Sequence, residues 1–426
     1  MTYDEALLYI HSVSNFFCKP GLERIKELCS MMGNPHEKLK FVHVAGTNGK
    51  GSFCAMLASI LKESGYIVGL YTSPYILKFN ERIAINGVMI DDNSLARLTE
   101  NVKQFADRMT DKPTEFELIT AIAFKYFAEK NCDIVVLECG LGGRYDATNI
   151  INSTILSVIT GVSIDHTNFL GNTIKEIAGE KAGIIKKNTP CLYCSKNSEA
   201  DEVITNYAVL NNSQLFTVDD NPEVIKFDFD GTVFNYKNYK NLFIKLLGSY
   251  QPINAINVIN AVEILMDSGY TIGDKAIKDG LKNTVWHARF EKLLTNPLFI
   301  ADGAHNPQGI DAAVDTVKKY FGDKKVTIIT GVMRDKDYCY IAKKLTEISD
   351  DIICVTPSNP RALPAKKYSE IFLKSGVKCK ATENINEAVK AAIVDSIKTN
   401  RPIISLGSLY MYGEITAAVE KYGIIS

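Results

Sequence analysis

Between Phe41 and Ser52 the chain reads Phe41-Val42-His43-Val44-Ala45-Gly46-Thr47-Asn48-Gly49-Lys50-Gly51-Ser52, and no other stretch restricts the fold as tightly. A short apolar run with β-branched residues predicts a strand, and Phe53 to Lys62 predicts a helix. The glycine-rich turn between them leaves backbone N–H groups pointing inward at a helix N-terminus, where partial positive charge favours anions. Lys50 can reach terminal phosphates, and Ser52 can touch a metal ion. The same turn without a ligand is the alternative, and the flanking strand and helix argue against it. The match to G-x-x-x-x-G-K-[ST] is imperfect, because Val44 stands where a glycine is wanted and Gly51 is inserted before Ser52.

Length and composition set the frame around this turn. A chain of 426 residues is too long for one core and suggests two or three domains. With 46% hydrophobic and 23% charged residues it has the profile of a soluble globular protein. A formal charge of −1 excludes general attraction to nucleic acid or to an anionic membrane, so anion binding must be local. No apolar run approaches the roughly 18–20 residues needed to span a bilayer. The start, Met1 to Ala6, is acidic and lacks the basic region of a signal peptide, so a cytoplasmic location is expected. Cysteines such as Cys18, Cys29, Cys54, Cys132, Cys139 and Cys354 lie mostly in apolar runs, as buried thiols do. Cys191-Leu192-Tyr193-Cys194 has neither a second ligand pair nor a helix opening at its first cysteine, and is read as core packing.

Residues 1–40 predict helix, broken at Lys19-Pro20-Gly21. Further strands are expected at Ile67–Thr72, Asp133–Glu138, Thr154–Thr160 and Pro190–Cys194, with a helix from Leu118 to Lys130. Strands apolar on both faces and separated by helices predict a parallel sheet covered on both sides. Alternation over Val224–Phe229 and Thr232–Tyr236 around Asp230-Gly231 predicts a hairpin at the rim of this first domain. A helix opens at Gln251, and a second strand–helix series begins near Leu298, with strands at Phe299–Ala301, Val326–Thr330, Ile352–Thr356 and Ile403–Leu406. The linker is placed at Leu293–Pro297, giving domains 1–294 and 298–426.

Strand ends carry the remaining candidate chemistry. Glu138 closes an apolar strand at the end that faces a ligand in parallel sheets, the expected place for a magnesium ligand. His166, after Gly161-Val162-Ser163-Ile164-Asp165, lies at the same end of the sheet and becomes a metal candidate by that position. Lys181, within Glu180-Lys181-Ala182-Gly183, reads like any solvated lysine. Asp302-Gly303-Ala304-His305-Asn306-Pro307 offers an acid, an imidazole and an amide after the first strand of the second series, suited to a ribose or an incoming amine.

These motifs, in order along residues 20–415, resemble the folylpolyglutamate synthase and dihydrofolate synthase branch of the Mur ligases. The matching stretches are Gly46–Ser52, Thr72-Ser73-Pro74 with Phe79–Ile83, Thr114–Glu117, Leu137–Asn149, Asp165-His166, Glu180–Lys186, Asp302–Pro307 and Gly407–Tyr410. The resemblance implies a large phosphate-loop domain with a parallel sheet and a smaller Rossmann-like C-terminal α/β domain. It implies that Gly49, Lys50, Gly51 and Ser52 cradle ATP, that Asn254, Arg289 and Asp302 contact the nucleotide, and that Ser73, Glu138 and His166 hold Mg²⁺. Lys181 matches the lysine that family members carbamylate to N-carboxylysine. Thr114, Glu115, Phe116, Glu117, Tyr145, Asp146 and Ala147 match segments that contact a pteroate-type substrate. Two departures stand out: Trp286-His287-Ala288-Arg289 replaces Trp-Pro-Gly-Arg, and Tyr75 replaces a histidine.

The implied activity is ATP-dependent joining of L-glutamate to folate, and to dihydropteroate, through an acyl phosphate. Lys50 is expected to stabilise the transferring phosphoryl group, and His305 with Asp302 to orient the second half-reaction. The expected partners are these small molecules alone, with no nucleic acid or membrane, and the expected assembly is a monomer. The competing readings are a Mur-type cell-wall amino-acid ligase, which would need a further N-terminal domain, and a non-enzymatic nucleotide switch.

Overall fold

Eight strands of the N-terminal part form one sheet: β1 (Phe41–Ala45), β2 (Val68–Tyr71), β3 (Ile83–Ile85), β4 (Val88–Met89), β5 (Ile134–Glu138), β6 (Thr154–Ile159), β7 (Cys191–Tyr193) and β8 (Leu215–Thr217). Their order is β4-β3-β2-β5-β1-β6-β7-β8. The six strands from β2 to β8 in that order run parallel, as their apolar character on both faces requires. The edge departs from the all-parallel expectation, because β3 pairs antiparallel with β2 and with β4. Asn86-Gly87, both at positive φ, make the tight turn between β3 and β4.

The computed structural model describes residues 1–13, 21–194, 197–218 and 220–423, so Cys18, Lys19 and Pro20 lie outside the described residues. Two compact units make up the chain. The first comprises Met1–Pro222, Tyr236–Leu242 and Ile253–Thr284, and the second comprises Glu223–Asn235, Phe243–Pro252 and Val285–Ser426.

In the first unit, helices Tyr3–Ser12, Glu23–Met31, Asp92–Ala106 and Glu115–Glu129 pack Ile10, Leu28, Leu98, Phe124 and Phe127 into a cluster with Phe41, Val135 and Leu137 of the sheet. A second cluster joins helices Ile174–Ala182 and Ser198–Leu210 to Ile159, Cys191 and Tyr193. Helix Lys50–Glu63, which opens at the glycine turn, packs against helix Asp274–Asn283. Their approach is close enough that a Cβ on Gly280 would lie 2.5 Å from the Ile60 Cα.

β9 (Glu223–Asp228) and β10 (Gly231–Tyr236) form the expected antiparallel hairpin, nearly all of it in the second unit, and β11 (Tyr239–Ile244) completes a three-stranded sheet. The hairpin belongs with this unit and not with the rim of the first. Phe227 and Phe229 lie 4.3 and 4.4 Å, centroid to centroid, from Tyr320, and Phe290 stacks on the same ring. The large sheet contains β12 (Glu291–Leu294), β13 (Phe299–Ala301), β14 (Thr327–Thr330), β15 (Asp351–Val355), β16 (Lys378–Thr382) and β17 (Ile403–Leu406), in the order β12-β13-β17-β14-β15-β16. Since β12 pairs antiparallel with β13, Leu293 and Leu294 are part of a strand and not of a linker. The other neighbours in this sheet are parallel. Among the described residues no helix is long and apolar enough to cross a membrane.

Candidate active site

Gly46 leaves β1 at φ 153° in a gap that admits no side chain, since a Cβ there would sit 2.0 Å from the Thr160 Oγ1. The turn is tied to the end of β6 by Thr47 N–H on the Gly161 carbonyl and by the Thr160 hydroxyl on the Asn48 carbonyl, at 2.9 and 2.7 Å. Gly49, at φ 84°, is the left-handed residue from which helix Lys50–Glu63 starts, and no side chain caps that helix. Asn254, on helix Gln251–Asp267, lies against Gly49, with its Oδ1 3.1 Å from where a Cβ would be. Lys50 donates from Nζ to the Gly46 and Thr47 carbonyls at 2.9 and 3.2 Å, which holds its ammonium over the turn. Gly51 and Ser52 are buried in the first helical turn. A helix N-terminus, a cation and two glycines that keep the backbone accessible add up to an anion site.

Beside Lys50 opens a cleft lined also by Gly46, Thr47, Gly140, Leu141, Gly142, Asp165, His166, Leu170 and Lys181. Lys181 is not a solvated lysine; its side chain is buried at the end of helix Ile174–Ala182. Burial first, and then the charge of Lys50, lower its pKa to about 7, against the opposing influence of Cys139 and Asp165. A substantial share of this amine is therefore neutral near physiological pH. His166 stands at φ 50° with a half-exposed ring, and its Nε2 lies 3.9 Å from an Asp165 carboxylate oxygen.

Glu138 ends β5 as a buried carboxylate, and the Ser73 N–H donates to its Oε2 at 3.2 Å. The structure thus brings Ser73 and Glu138 together. Among the described residues no three His, Cys, Asp or Glu side chains converge on one point. A buried carboxylate next to a serine is a hard-oxygen donor set that suits Mg²⁺, which dehydrates reluctantly and is usually held by one or two carboxylates plus substrate phosphates. Ser73 and Glu138 could hold such an ion, while His166 lines the Lys50 cleft beside Asp165.

The residues expected at a pteroate-type substrate divide into two kinds. Thr114 and Glu117 form a reciprocal cap on helix Glu115–Glu129, and Glu117 also accepts from the Arg24 Nε at 3.0 Å. Glu115 pairs with His11, and the Phe116 ring lies beneath Gly140, where a Cβ would meet it at 2.6 Å. Asp146 is buried and organises its own loop: its oxygens accept from the Leu141 and Thr148 N–H groups at 2.8 and 3.0 Å. Burial raises its pKa, opposed by those donors. Tyr145 is exposed, whereas Ala147 is buried. Thr114, Glu117 and Asp146 therefore have structural partners; Thr114-x-x-Glu117 is itself a capping signature in the sequence, whereas the Arg24 partner of Glu117 and the Leu141 partner of Asp146 are not legible there.

On the second unit, Asp302 is likewise buried and accepts from the Tyr250 hydroxyl and the Phe290 and Ala304 N–H groups at 3.0, 2.8 and 2.7 Å. Its pKa is raised by burial and held back by the charge of Arg289. The His305 Nδ1 lies 2.8 Å from the Gly303 carbonyl, which can only accept, so Nδ1 carries the proton. Ala288 stands at φ 57°, a conformation that favours the glycine it replaces, and its N–H donates to Glu291, which also pairs with His287. Tyr75 packs on Phe79 and beneath Arg82.

Residues 44–262 match the Mur ligase middle domain, and residues 288–409 match the glutamate ligase domain of Mur ligases. The chain is 38% identical over 432 residues to the dihydrofolate synthase/folylpolyglutamate synthase of Bacillus subtilis, covering 97% of this chain and 98% of that protein. It is similar to the crystal structure of folylpolyglutamate synthase from Thermotoga maritima, with TM-score 0.86, 33% identity, and coverage of 100% and 98% of the two chains. A complex of the Escherichia coli protein FolC with DHPP and ADP aligns at TM-score 0.87 and 28% identity, over 99% of this chain and 98% of that one.

Proposed function

The chain belongs to the folylpolyglutamate and dihydrofolate synthase branch of the Mur ligases, and from that premise we propose that it is an ATP-dependent ligase joining L-glutamate to folates. The observation that carries this reading is the uncapped, glycine-opened helix with Lys50 held over it, sharing one cleft with the buried amine of Lys181. A carboxylate is a poor electrophile, so its oxygen must first become a leaving group. Transfer of the terminal phosphoryl group of ATP to the substrate carboxylate gives an acyl phosphate. The α-amine of glutamate attacks its carbonyl, and phosphate leaves from the tetrahedral intermediate to give the amide.

In this scheme Gly49, Lys50, Gly51 and Ser52 bind the phosphates of ATP. Lys50 and the N–H groups at the helix start stabilise charge on the transferring oxygens. Asn254, beside Gly49, is assigned to the nucleotide. Mg²⁺, when bound by Ser73, Glu138 and His166, neutralises phosphate charge. Lys181, as a neutral amine, is able to add CO₂ and release a proton to water, and the resulting carbamate is an anion able to hold a further metal. We assign Arg289 to the nucleotide and His305 to the incoming amine, with Asp302 acting through the Phe290 and Ala304 backbone that it holds. Phe116, Tyr145, Asp146 and Ala147 are assigned to the pteroate-type substrate, Thr114, Glu115 and Glu117 supporting them through their helix. We further propose that dihydropteroate is accepted, and that the enzyme acts as a cytoplasmic monomer.

The test is to incubate the protein with ATP, Mg²⁺ and glutamate together with tetrahydrofolate or dihydropteroate, and to weigh the products. The expected result is one added glutamate per ADP formed, with ADP formation requiring both the acceptor and glutamate. ADP formation independent of both would instead favour a nucleotide switch.

A further inference from the structure

His43 is fully buried on β1, three residues before the glycine turn, and the reaction scheme gives it no task. Its Nε2 lies 2.8 Å from the Thr148 Oγ1 and 3.1 Å from the Cys139 Sγ. Thr148 has a single hydroxyl proton, and it donates that proton to an Asp146 carboxylate oxygen. The threonine oxygen therefore offers the imidazole a lone pair, and only an N–H can meet a lone pair at that distance.

The other ring nitrogen leads to the same tautomer. The His43 Nδ1 is buried and has no hydrogen-bond partner among the described residues. An unpaired N–H in that place would be a rare and costly arrangement, whereas an unprotonated nitrogen leaves only an acceptor unfilled. Hydrogen bonds then run in one direction, from His43 to Thr148 to Asp146. The second Asp146 oxygen accepts from the Leu141 N–H at 2.8 Å, within the Gly140–Gly142 segment that lines the cleft. Cys139, the sulfur at the side of this chain, directly follows Glu138 and donates its N–H to the Val44 carbonyl at 2.9 Å.

We propose that His43, Thr148 and Asp146 form a positioning relay in which the Nε2–H tautomer of His43 sets the Asp146 carboxylate, which the ligase reading assigns to the acceptor, and, through it, the Gly140–Gly142 backbone that lines the cleft. The relay rests on the ligase reading above for the identity of that substrate. It joins the strand that delivers the phosphate turn to the loop assigned to the pteroate-type acceptor. A fault in it is therefore felt by the acceptor more than by ATP. His43 and Thr148 touch neither substrate; they act through Asp146.

The test is Thr148→Val, which keeps the shape and removes the hydroxyl, compared with Thr148→Ser, which keeps the hydroxyl. Thr148→Val should lower kcat/KM for the folate acceptor at least tenfold while the KM for ATP stays within twofold, and Thr148→Ser should stay within about threefold of the parent. Selective ¹⁵N-histidine labelling of the wild-type protein reads the tautomer directly, with the His43 signal among the six histidines identified by its loss in His43→Gln. A protonated Nε2 with an unprotonated Nδ1 is expected. Parental kinetics in Thr148→Val, an equal rise in both KM values, or an Nδ1–H tautomer would each overturn the relay. If the wild-type protein itself fails to extend a folate, the ligase reading falls, while the ¹⁵N measurement still decides the tautomer.

Discussion

Lys50 and Lys181 line one cleft, and burial, with the nearby charge of Lys50, lowers the Lys181 pKa to about 7. Replacing Lys50 by Ala removes the cation over the phosphate turn. Turnover should fall roughly 10²–10³-fold, the usual effect of losing one preorganised donor to a developing charge, with the thermal midpoint little changed. Full activity in that variant would remove the phosphate assignment. Lys181 gives a pH signature. Its folded pKa of about 7 lies below the unfolded lysine value, so between pH 7 and about 10 the unfolded chain binds more protons than the folded one. In CO₂-free buffer, stability should therefore rise with pH across that window, by up to about 1.4 kcal/mol per unit, and Lys181→Met should flatten the rise. Urea midpoints at pH 7 and pH 9 measure it; an identical slope in both proteins would place the lysine in water. None of this is visible along the chain, because Glu180-Lys181-Ala182 spells an ordinary helix end, while the Gly140–Gly142 segment, Asp165 and Lys50 that share its cleft come from elsewhere in the sequence. The same holds for Asp146 and Asp302, whose place at turns is legible while their internal donors, brought from residues near and far, are not.

At the level of elements, the strands most readily read from sequence are those that the parallel sheets bury on both faces. β1, β5, β6 and β17 fall within a residue or so of their apolar runs. β16 escapes that reading because Lys378-Cys379-Lys380-Ala381-Thr382 is a largely polar edge strand. β12 escapes it because Glu291-Lys292 precede its two leucines, and the run resembles a tether. β3 and β4 are too short to show a period, although the Asn86-Gly87 turn between them is itself a hairpin signal. The helix that opens at the phosphate turn depends on Gly280 for its close seat against helix Asp274–Asn283. Gly280→Val should cost about 3 kcal/mol or more, in the range of severe overpacking, seen as a lower urea midpoint with an unchanged slope. An unshifted midpoint would mean that the two helices are not in close contact in solution.

For the whole molecule, two α/β units and a glycine-opened helix suit an enzyme that couples ATP cleavage to amide formation. Neither the fold nor the phosphate site alone distinguishes an acyl phosphate from ATP hydrolysis that merely accompanies binding. The order of bond making does, and the atoms can be followed. If the substrate carboxylate attacks the terminal phosphorus, one carboxylate oxygen must leave with phosphate. Tetrahydrofolate with ¹⁸O at both oxygens of its terminal glutamate side-chain carboxylate is the probe, with turnover in the presence of ATP and glutamate and mass analysis of the phosphate released. The account predicts one ¹⁸O in the phosphate for each amide formed; unlabelled phosphate released alongside amide would contradict it.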